Sequence, residues 1–387
     1  MGPDGGVEKS GQREPVLPRI VFVNTRYRPP HFRGGVERYV HIVAGELSRR
    51  NLCCSVVAMA ESLACVSQVP HNFLRIPPIP LLRPFIFGML GRRFWQKADV
   101  ISVQYTPFGV LMPKQKLVCT VHTTGFGEAR ALTGLRGARV RLQQLRRRIS
   151  MPIEGMVLRR SRRIIAISLS IAQELVDIYG VNPAKISVIG NGVDCDAFRP
   201  GSALKGNSPF RLLYVGRLAK RKNVNVLIEA AAKVSVPVLL RIVGTGPEQK
   251  SLAAFVDQSG MSAIVEFRGF RSGPDLLAEY EWADAFAIPS SYEGVPLAAL
   301  EAKAAGLPVI TAKFPGAENL VSPASGVLVS PANSAGFVEA IETLDRDHDR
   351  LRNMSIHSRQ EALEKFSWPV SVDRLADVYQ EVLRQSA

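Results

Sequence analysis

The chain has 387 residues, 46% hydrophobic and 21% charged, which is ordinary for a soluble globular protein and long enough for two domains with large cores. Its formal charge of +15 is lopsided: residues 1–200 carry 29 Lys and Arg against 13 Asp and Glu, and the remainder is close to neutral. No run of about 18 apolar residues occurs, so no spanning helix is expected. The stretch Met1 to Pro18 lacks the apolar centre of a signal peptide and reads as a loose tail. Five cysteines without zinc-ligand spacing read as reduced, partly buried thiols of a cytoplasmic protein.

Apolar runs alternate with amphipathic segments throughout, which predicts an α/β architecture with parallel sheets. Arg19–Val23 reads as a strand, followed by a loop containing Pro29, Pro30, Gly34 and Gly35. A helix comes next, with Val36, Tyr39, Val40, Val43, Ala44 and Leu47 at helical spacing. No Gly-x-Gly-x-x-Gly follows the first strand, so a dinucleotide-binding reading fails there. Further strands are predicted at Ser55–Met59, Val100–Gln104, Leu117–Val121, Ile164–Ile167 and Ile186–Ile189.

Between Arg130 and Arg163 eleven arginines meet one acid, Glu154. Leu142, Leu145 and Ile149 form a helical stripe there, while Arg139, Arg141, Arg146, Arg147 and Arg148 cover other faces. A basic amphipathic helix of this kind suits an anionic membrane or a polyanionic acceptor, the alternative being a solvated face with no partner. No nucleic-acid motif accompanies it, so no nucleic-acid partner is expected.

The pattern restarts at Arg211–Gly216 and continues through strands at Val238–Val243, Ile264–Phe267, Ala285–Ile288, Pro308–Ile310 and Gly326–Leu328. Phe366 to Trp368, then Val372, Leu375, Tyr379 and Val382, read as a final helix. The implied division is a tail over 1–18, a first Rossmann-like domain over 19–198, a linker over 199–209, a second such domain over 210–365 and a C-terminal helix over 366–387. Two doubly wound units facing each other would place a ligand site in the cleft beyond the carboxyl ends of their strands.

The most informative stretch is Tyr292-Glu293-Gly294-Val295-Pro296-Leu297-Ala298-Ala299-Leu300-Glu301. Glu293 precedes a Gly-Val-Pro turn that opens an apolar helix, with Pro296 suited to a first helical position. The N–H groups of Gly294 and Val295 would then meet an anion at the positive end of the helix dipole. Glu301, eight residues on, flanks the same mouth from one to two turns deeper. Upstream, Gly216-Arg217-Leu218-Ala219-Lys220-Arg221-Lys222-Asn223 puts four cations at a strand end, where a departing diphosphate could be neutralised.

Three weaker signals join these. Gly34-Gly35 would let the backbone approach a ligand. His122 ends the strand Leu117–Val121, where it could bond a sugar hydroxyl or support charge at an anomeric carbon. Asn191-Gly192-Val193-Asp194 reads as a tight turn. The spellings Asp194-Cys195-Asp196 and Asp345-Arg346-Asp347 do not follow apolar strands, so no metal is assigned to them.

The paired glutamates, with Ala283–Ser290 before and Ala302–Ile310 after, resemble the retaining glycosyltransferases of the GT-B fold, the "glycosyl transferases group 1" family. The resemblance spans about residues 19–385. It implies a nucleotide-diphosphate sugar as donor, no metal or other cofactor, and retention of anomeric configuration. It implies Glu293 on the donor sugar, Glu301 on the ribose, and Arg217 and Lys222 on the diphosphate, with Lys220 and Arg221 left solvated. His122, Gly34 and Gly35 would face the donor from the first domain. Arg268 and Phe270 match a segment whose backbone meets the nucleotide base. Thr245 stands where the family usually carries Asp. The arginine-rich half and the Leu81–Phe87 stretch fit a peripheral enzyme acting on a lipid-linked glycan. A catalytically silent membrane- or polyanion-binding protein on the same fold is the alternative.

Overall fold

In the computed structural model, residues 17–27, 29, 35–59, 69–77, 79, 82–131, 150–201, 209–291, 293, 296–314, 316–329 and 333–385 are described. Two parallel sheets account for the architecture. The first contains β1 (Arg19–Asn24), β2 (Cys53–Met59), β3 (His71–Leu74), β4 (Val100–Val103), β5 (Leu117–Val121), β6 (Arg163–Ala166) and β7 (Ile186–Val188), in the order β3-β2-β1-β4-β5-β6-β7. The second contains β8 (Phe210–Val215), β9 (Val238–Val243), β10 (Val265–Gly269), β11 (Ala285–Ile288), β12 (Val309–Ala312) and β13 (Gly326–Val329), in the order β10-β9-β8-β11-β12-β13. Both orders reverse beside the first strand of their sheet, the switch point at which doubly wound folds bind ligands.

Parallel strands covered on both faces must be apolar along their whole length. β4, β5, β11 and β12 accordingly have every residue buried. These are the runs that the sequence shows most plainly. β3 was not expected: His-Asn-Phe-Leu has no β-branched residue and only Leu74 is buried, as suits a short edge strand.

Helix Trp368–Arg384 packs on the first sheet, with Trp368, Val372, Leu375, Tyr379 and Val382 in the same core as Ile20, Phe22 and Val56. Its N-cap is Ser367, so Phe366 and Ser367 lie outside it. The chain therefore crosses between the two sheets twice, and the crossings are bonded to each other. Val193 donates its N–H to Phe366 O at 2.7 Å, and Trp368 donates to Val193 O at 3.2 Å. Gly192 has no room for a side chain: a Cβ there would lie 2.5 Å from the Trp368 ring.

Helix Leu297–Ala304 is buried from Ala299 through Ala304, and its small residues let it sit among neighbours on all sides. Lys303 is fully buried within it. Its ammonium donates to Ser325 Oγ at 2.9 Å and to Glu361 Oε2 at 2.6 Å. Burial lowers the Lys303 pKa. Burial alone would raise that of Glu361, but the bonds from Lys303 and Ser325 hold it down at about 2. Removing one partner strands a buried charge, so Lys303→Ala should cost about 3–5 kcal/mol in urea unfolding. Lys303→Met combined with Glu361→Leu should recover most of that loss.

Candidate functional site

β11 ends at Ile288, and Glu293 follows in the loop before helix Leu297–Ala304. Glu293 is buried, and its Oε1 accepts from Lys222 Nζ, with Arg221 Nη1 3.8 Å from Oε2. Lys222 closes a single 3-10 turn, Lys220–Lys222, after β8. Asn223 then takes a left-handed conformation at φ 49° and leads into helix Val224–Ala231. Burial lowers the Lys222 pKa, and Glu293 counteracts this. The two motifs read separately in the sequence thus meet at one ion pair. Arg221 is exposed, as expected, while its guanidinium stays within reach of Glu293. Lys220 is exposed, and so is Arg217.

The loop carrying Arg217 rests on backbone. Leu218 N–H donates to Thr245 O at 3.0 Å, and Glu248 N–H donates to Leu218 O at 3.0 Å. Gly244, at φ 129°, and Gly246 press so closely that a Cβ on either would fall within 2.1 Å of Gly216 O or Leu218 O. Thr245 contributes a carbonyl here, which any residue could supply.

Glu301 lies one helical turn inside Leu297–Ala304 with its side chain 11% exposed. Tyr280, on helix Pro274–Trp282, donates its hydroxyl to Glu301 Oε2 at 2.9 Å. Arg38, on helix Gly35–Arg49 of the first sheet's side, reaches Glu301 Oε1 at 3.4 Å. Burial raises the Glu301 pKa, and Arg38 and Tyr280 pull against that rise. Gly35 stands against the same helix: a Cβ on it would lie 3.2 Å from Leu297. A cavity between these elements is lined by Gly35, Arg38, Tyr39, Asn191, Glu301 and Trp368, among others. Asn191 Oδ1 is buried there with no hydrogen-bond partner among the described residues.

His122 follows β5 and is half-buried, with its ring 4.9 Å from that of Tyr39. Its Nε2 lies 3.0 Å from Gln104 Oε1. Gln104 donates through Nε2 to Ser102 Oγ at 3.0 Å, and Ser102 Oγ bonds Tyr379 at 2.9 Å. With the amide in this orientation its oxygen accepts, so His122 carries its hydrogen on Nε2 and leaves Nδ1 as an acceptor. Burial lowers the His122 pKa to about 4. A neutral imidazole can bond a hydroxyl but brings no positive charge to an anomeric carbon, which narrows the role expected from the sequence.

Pro296 is the N-cap of helix Leu297–Ala304, one position before its expected place. Its φ of −69° and ψ of 110° keep it extended. Gly34, Gly294 and Val295 lie outside the described residues, as does the arginine-rich stripe over 132–149. Glu154 lies within them and is buried, accepting from Gly125 N at 3.0 Å and Tyr179 Oη at 2.8 Å. Arg268 sends its side chain to Glu279 Oε1 at 2.8 Å, while Phe270 is 74% exposed. In the register of β10 on β9, Phe267 pairs Ile242 and Gly269 pairs Val243, so a bulge leaves Arg268 out of the ladder. Asp194 Oδ1 accepts from the N–H groups of Asp196 and Ala197 and so closes its own turn.

Arg38, Tyr280 and Gln104 were not singled out in the sequence. Arg38 alone left a trace: it stands three residues after Gly35, on the same helix face as the glycine pair.

Comparison with known proteins bears on the family and the fold. Residues 33–197 match the family model "Glycosyltransferase Family 4" and residues 197–361 match "Glycosyl transferases group 1". Together the two models run from 33 to 361, and the chain belongs to this glycosyltransferase family, with the two-domain GT-B fold. Glycogen synthase of Mycobacterium tuberculosis is 31% identical over 59% of this chain and 56% of its own length. The chain thus spans little more than half of that relative. D-inositol 3-phosphate glycosyltransferase of Saccharomonospora viridis is 26% identical over 97% of this chain and 96% of its own. Among solved structures, sucrose-phosphate synthase from Thermosynechococcus elongatus superposes with a TM-score of 0.77 at 18% identity, covering 95% of this chain and 100% of that one. Anabaena HepE in complex with UDP-glucose gives 0.72 at 20% identity, covering 94% and 99%.

The His122 imidazole makes stability depend on pH. The unfolded chain gains a proton near pH 6.5 and the folded one only near pH 4. Stability is therefore lost as pH falls through that window. Urea unfolding should show a loss on the order of 1–2 kcal/mol between pH 7 and 5, and His122→Gln should flatten that slope.

Proposed function

We propose that the protein is a metal-independent retaining glycosyltransferase moving a hexose-type sugar from a nucleotide-diphosphate sugar to a glycan acceptor carried on lipid. One observation carries the reading: Lys222, after the first strand of the second sheet, is bonded to Glu293 at the mouth of helix Leu297–Ala304. A cation for the leaving diphosphate and a carboxylate for the sugar then stand side by side, with exposed Arg217 on the same loop as Lys222. Glu301 would take the ribose hydroxyls. The bulge at Arg268 would offer backbone groups to the base. The solved complexes of HepE with UDP and UDP-glucose, on the same fold, support this class of donor.

In the proposed reaction the acceptor oxygen bonds to the anomeric carbon as the bond from that carbon to phosphate oxygen breaks. The departing phosphate oxygen takes the acceptor proton on the same face. Arg217, Lys222 and the N–H groups of Gly294 and Val295 would stabilise the charge that develops there. His122 would accept a sugar hydroxyl at Nδ1. Closure of the two domains would exclude water and limit hydrolysis. The basic first half would hold the enzyme on an anionic membrane from the cytoplasmic side.

Thermal stability measured with UDP, GDP, ADP and their sugars, with EDTA or Mg2+, tests the donor assignment. One nucleotide should raise the melting temperature regardless of metal, and Glu301→Gln or Arg217→Ala should abolish the rise. No rise with any nucleotide would favour a silent scaffold.

Arg38 occupies the carboxylate that the ribose needs. Arg38→Ala should therefore tighten binding of that nucleotide by up to about fivefold, the reach of a half-exposed ion pair. The gain should vanish with the 2′-deoxynucleotide. Weaker binding in Arg38→Ala would instead put Arg38 on the donor.

Glu293→Gln should lower kcat by about 100-fold while changing the donor Kd by less than about threefold, the pattern of a contact made in the transition state. Equal losses in both would remove Glu293 from the sugar.

A further inference from the structure

Helix Arg83–Leu90 reads Arg-Pro-Phe-Ile-Phe-Gly-Met-Leu and has no polar side chain after its first residue. A helix apolar all round belongs inside a protein or in lipid. Here only Pro84, Phe87 and Gly88 are buried, while Met89 is 67% exposed and Leu82 and Leu90 are each 50% exposed. Gly88 lies against Leu111, whose Cβ would be 2.8 Å from a Cβ added to the glycine, and Leu111 is itself 46% exposed. Leu82, Met89, Leu90 and Leu111 thus expose a ledge of apolar side chains on this helix and on the loop packed against it, the kind of surface that marks a docking site.

The charges around the ledge say what docks. Arg92 and Arg93 follow Leu90 after Gly91 and are exposed. From residue 62 to 127 the sequence holds seven Lys and Arg and a single acid, Asp99. Asp99 is engaged by the first strand, accepting from Arg19 N at 2.8 Å. Apolar tips with exposed arginines beside them complement an anionic bilayer, with the tips entering the acyl boundary and the arginines on the phosphates. No helix among the described residues is long and apolar enough to cross a membrane, so such contact lies in the interface plane.

The ledge also leads to the cleft. Phe87 packs on Phe108 at 4.8 Å between ring centroids, and Phe108 on Tyr105 at 5.5 Å. Tyr105 adjoins Gln104, the partner of His122.

We propose that Leu82, Met89, Leu90 and Leu111, with Arg92 and Arg93, form the surface that seats this protein on an anionic phospholipid bilayer and turns its cleft toward a lipid-borne acceptor. The assignment rests on the proposed lipid-linked acceptor and is independent of which sugar is moved.

Co-sedimentation of the full chain with phosphatidylcholine vesicles, with and without phosphatidylglycerol, tests it. The protein should pellet only with phosphatidylglycerol present. Met89→Asp/Leu90→Asp and Arg92→Glu/Arg93→Glu should each weaken partitioning at least about tenfold. Far-UV circular dichroism and a cooperative melt establish that both variants fold, and the nucleotide-dependent thermal shift should survive in both. Pelleting of both variants like the parent overturns the ledge, as does failure of the parent to pellet at all. If only Arg146→Ala/Arg147→Ala/Arg148→Ala is released, membrane attachment stands and the ledge falls. If Met89→Asp/Leu90→Asp instead dissociates a dimer in size-exclusion chromatography with vesicle binding intact, the apolar tips pack a second copy and the proposal fails.

Discussion

The two chain crossings between the sheets are stitched into one strand-like pairing, and the rest of the molecule depends on it. Val193 and Ser367 form a bridge in which backbone bonds from Val193 and Trp368 hold the outgoing and returning segments together. Trp368 lies against Gly192 on one side and 6.0 Å from the Tyr39 ring on the other. From this point a line of contacts reaches the donor side. Phe366 lies 6.0 Å beneath the ammonium of Lys303, Lys303 is bonded to Glu361, and Lys303 shares its helix with Glu301. The carboxylate assigned to the ribose is therefore built onto the element that anchors the crossing.

The two glutamates of the pair have the same chemistry and unlike neighbours, and the neighbours separate their roles. Glu293 meets Lys222 and Arg221, both from the loop after β8, so its partners belong to its own domain. Glu301 takes one bond from its own domain through Tyr280 and one across the cleft through Arg38. Only Glu301 can register whether the domains are together. Helix Pro274–Trp282 reaches both Glu301 and Arg268, since Tyr280 holds the first while the adjacent Glu279 holds the second. Arg241 also bonds Glu279, at 3.2 Å, and lies 3.9 Å over the Trp282 ring, which fixes the helix to β9.

Much of this was legible because burial on both faces of a parallel strand leaves a continuous apolar run. Leu117–Val121, Val238–Val243 and Ala285–Ile288 begin and end where the sequence places them. The edge strand His71–Leu74 carries no such signature, because one neighbour and partial exposure impose no pattern. Of the candidate site, the sequence singles out Glu293 and Glu301 by their spacing, one in the loop before helix Leu297–Ala304 and one within it. The partners of Glu301 come from 21 and 263 residues away, a proximity that only the fold creates. The same holds for Lys222, which meets Glu293 from 71 residues away. Arg268 was matched by its backbone, and the bulge that exempts it from the ladder is invisible in the residues.

The hydroxyl of Tyr379 touches no ligand position, yet it is the far end of a relay through Ser102 and Gln104 to His122. The C-terminal helix is thereby joined, through side chains alone, to an imidazole at the cleft. The cleft of the first domain and helix Trp368–Arg384 therefore share one chain of hydrogen bonds, so a change at either end reaches the other.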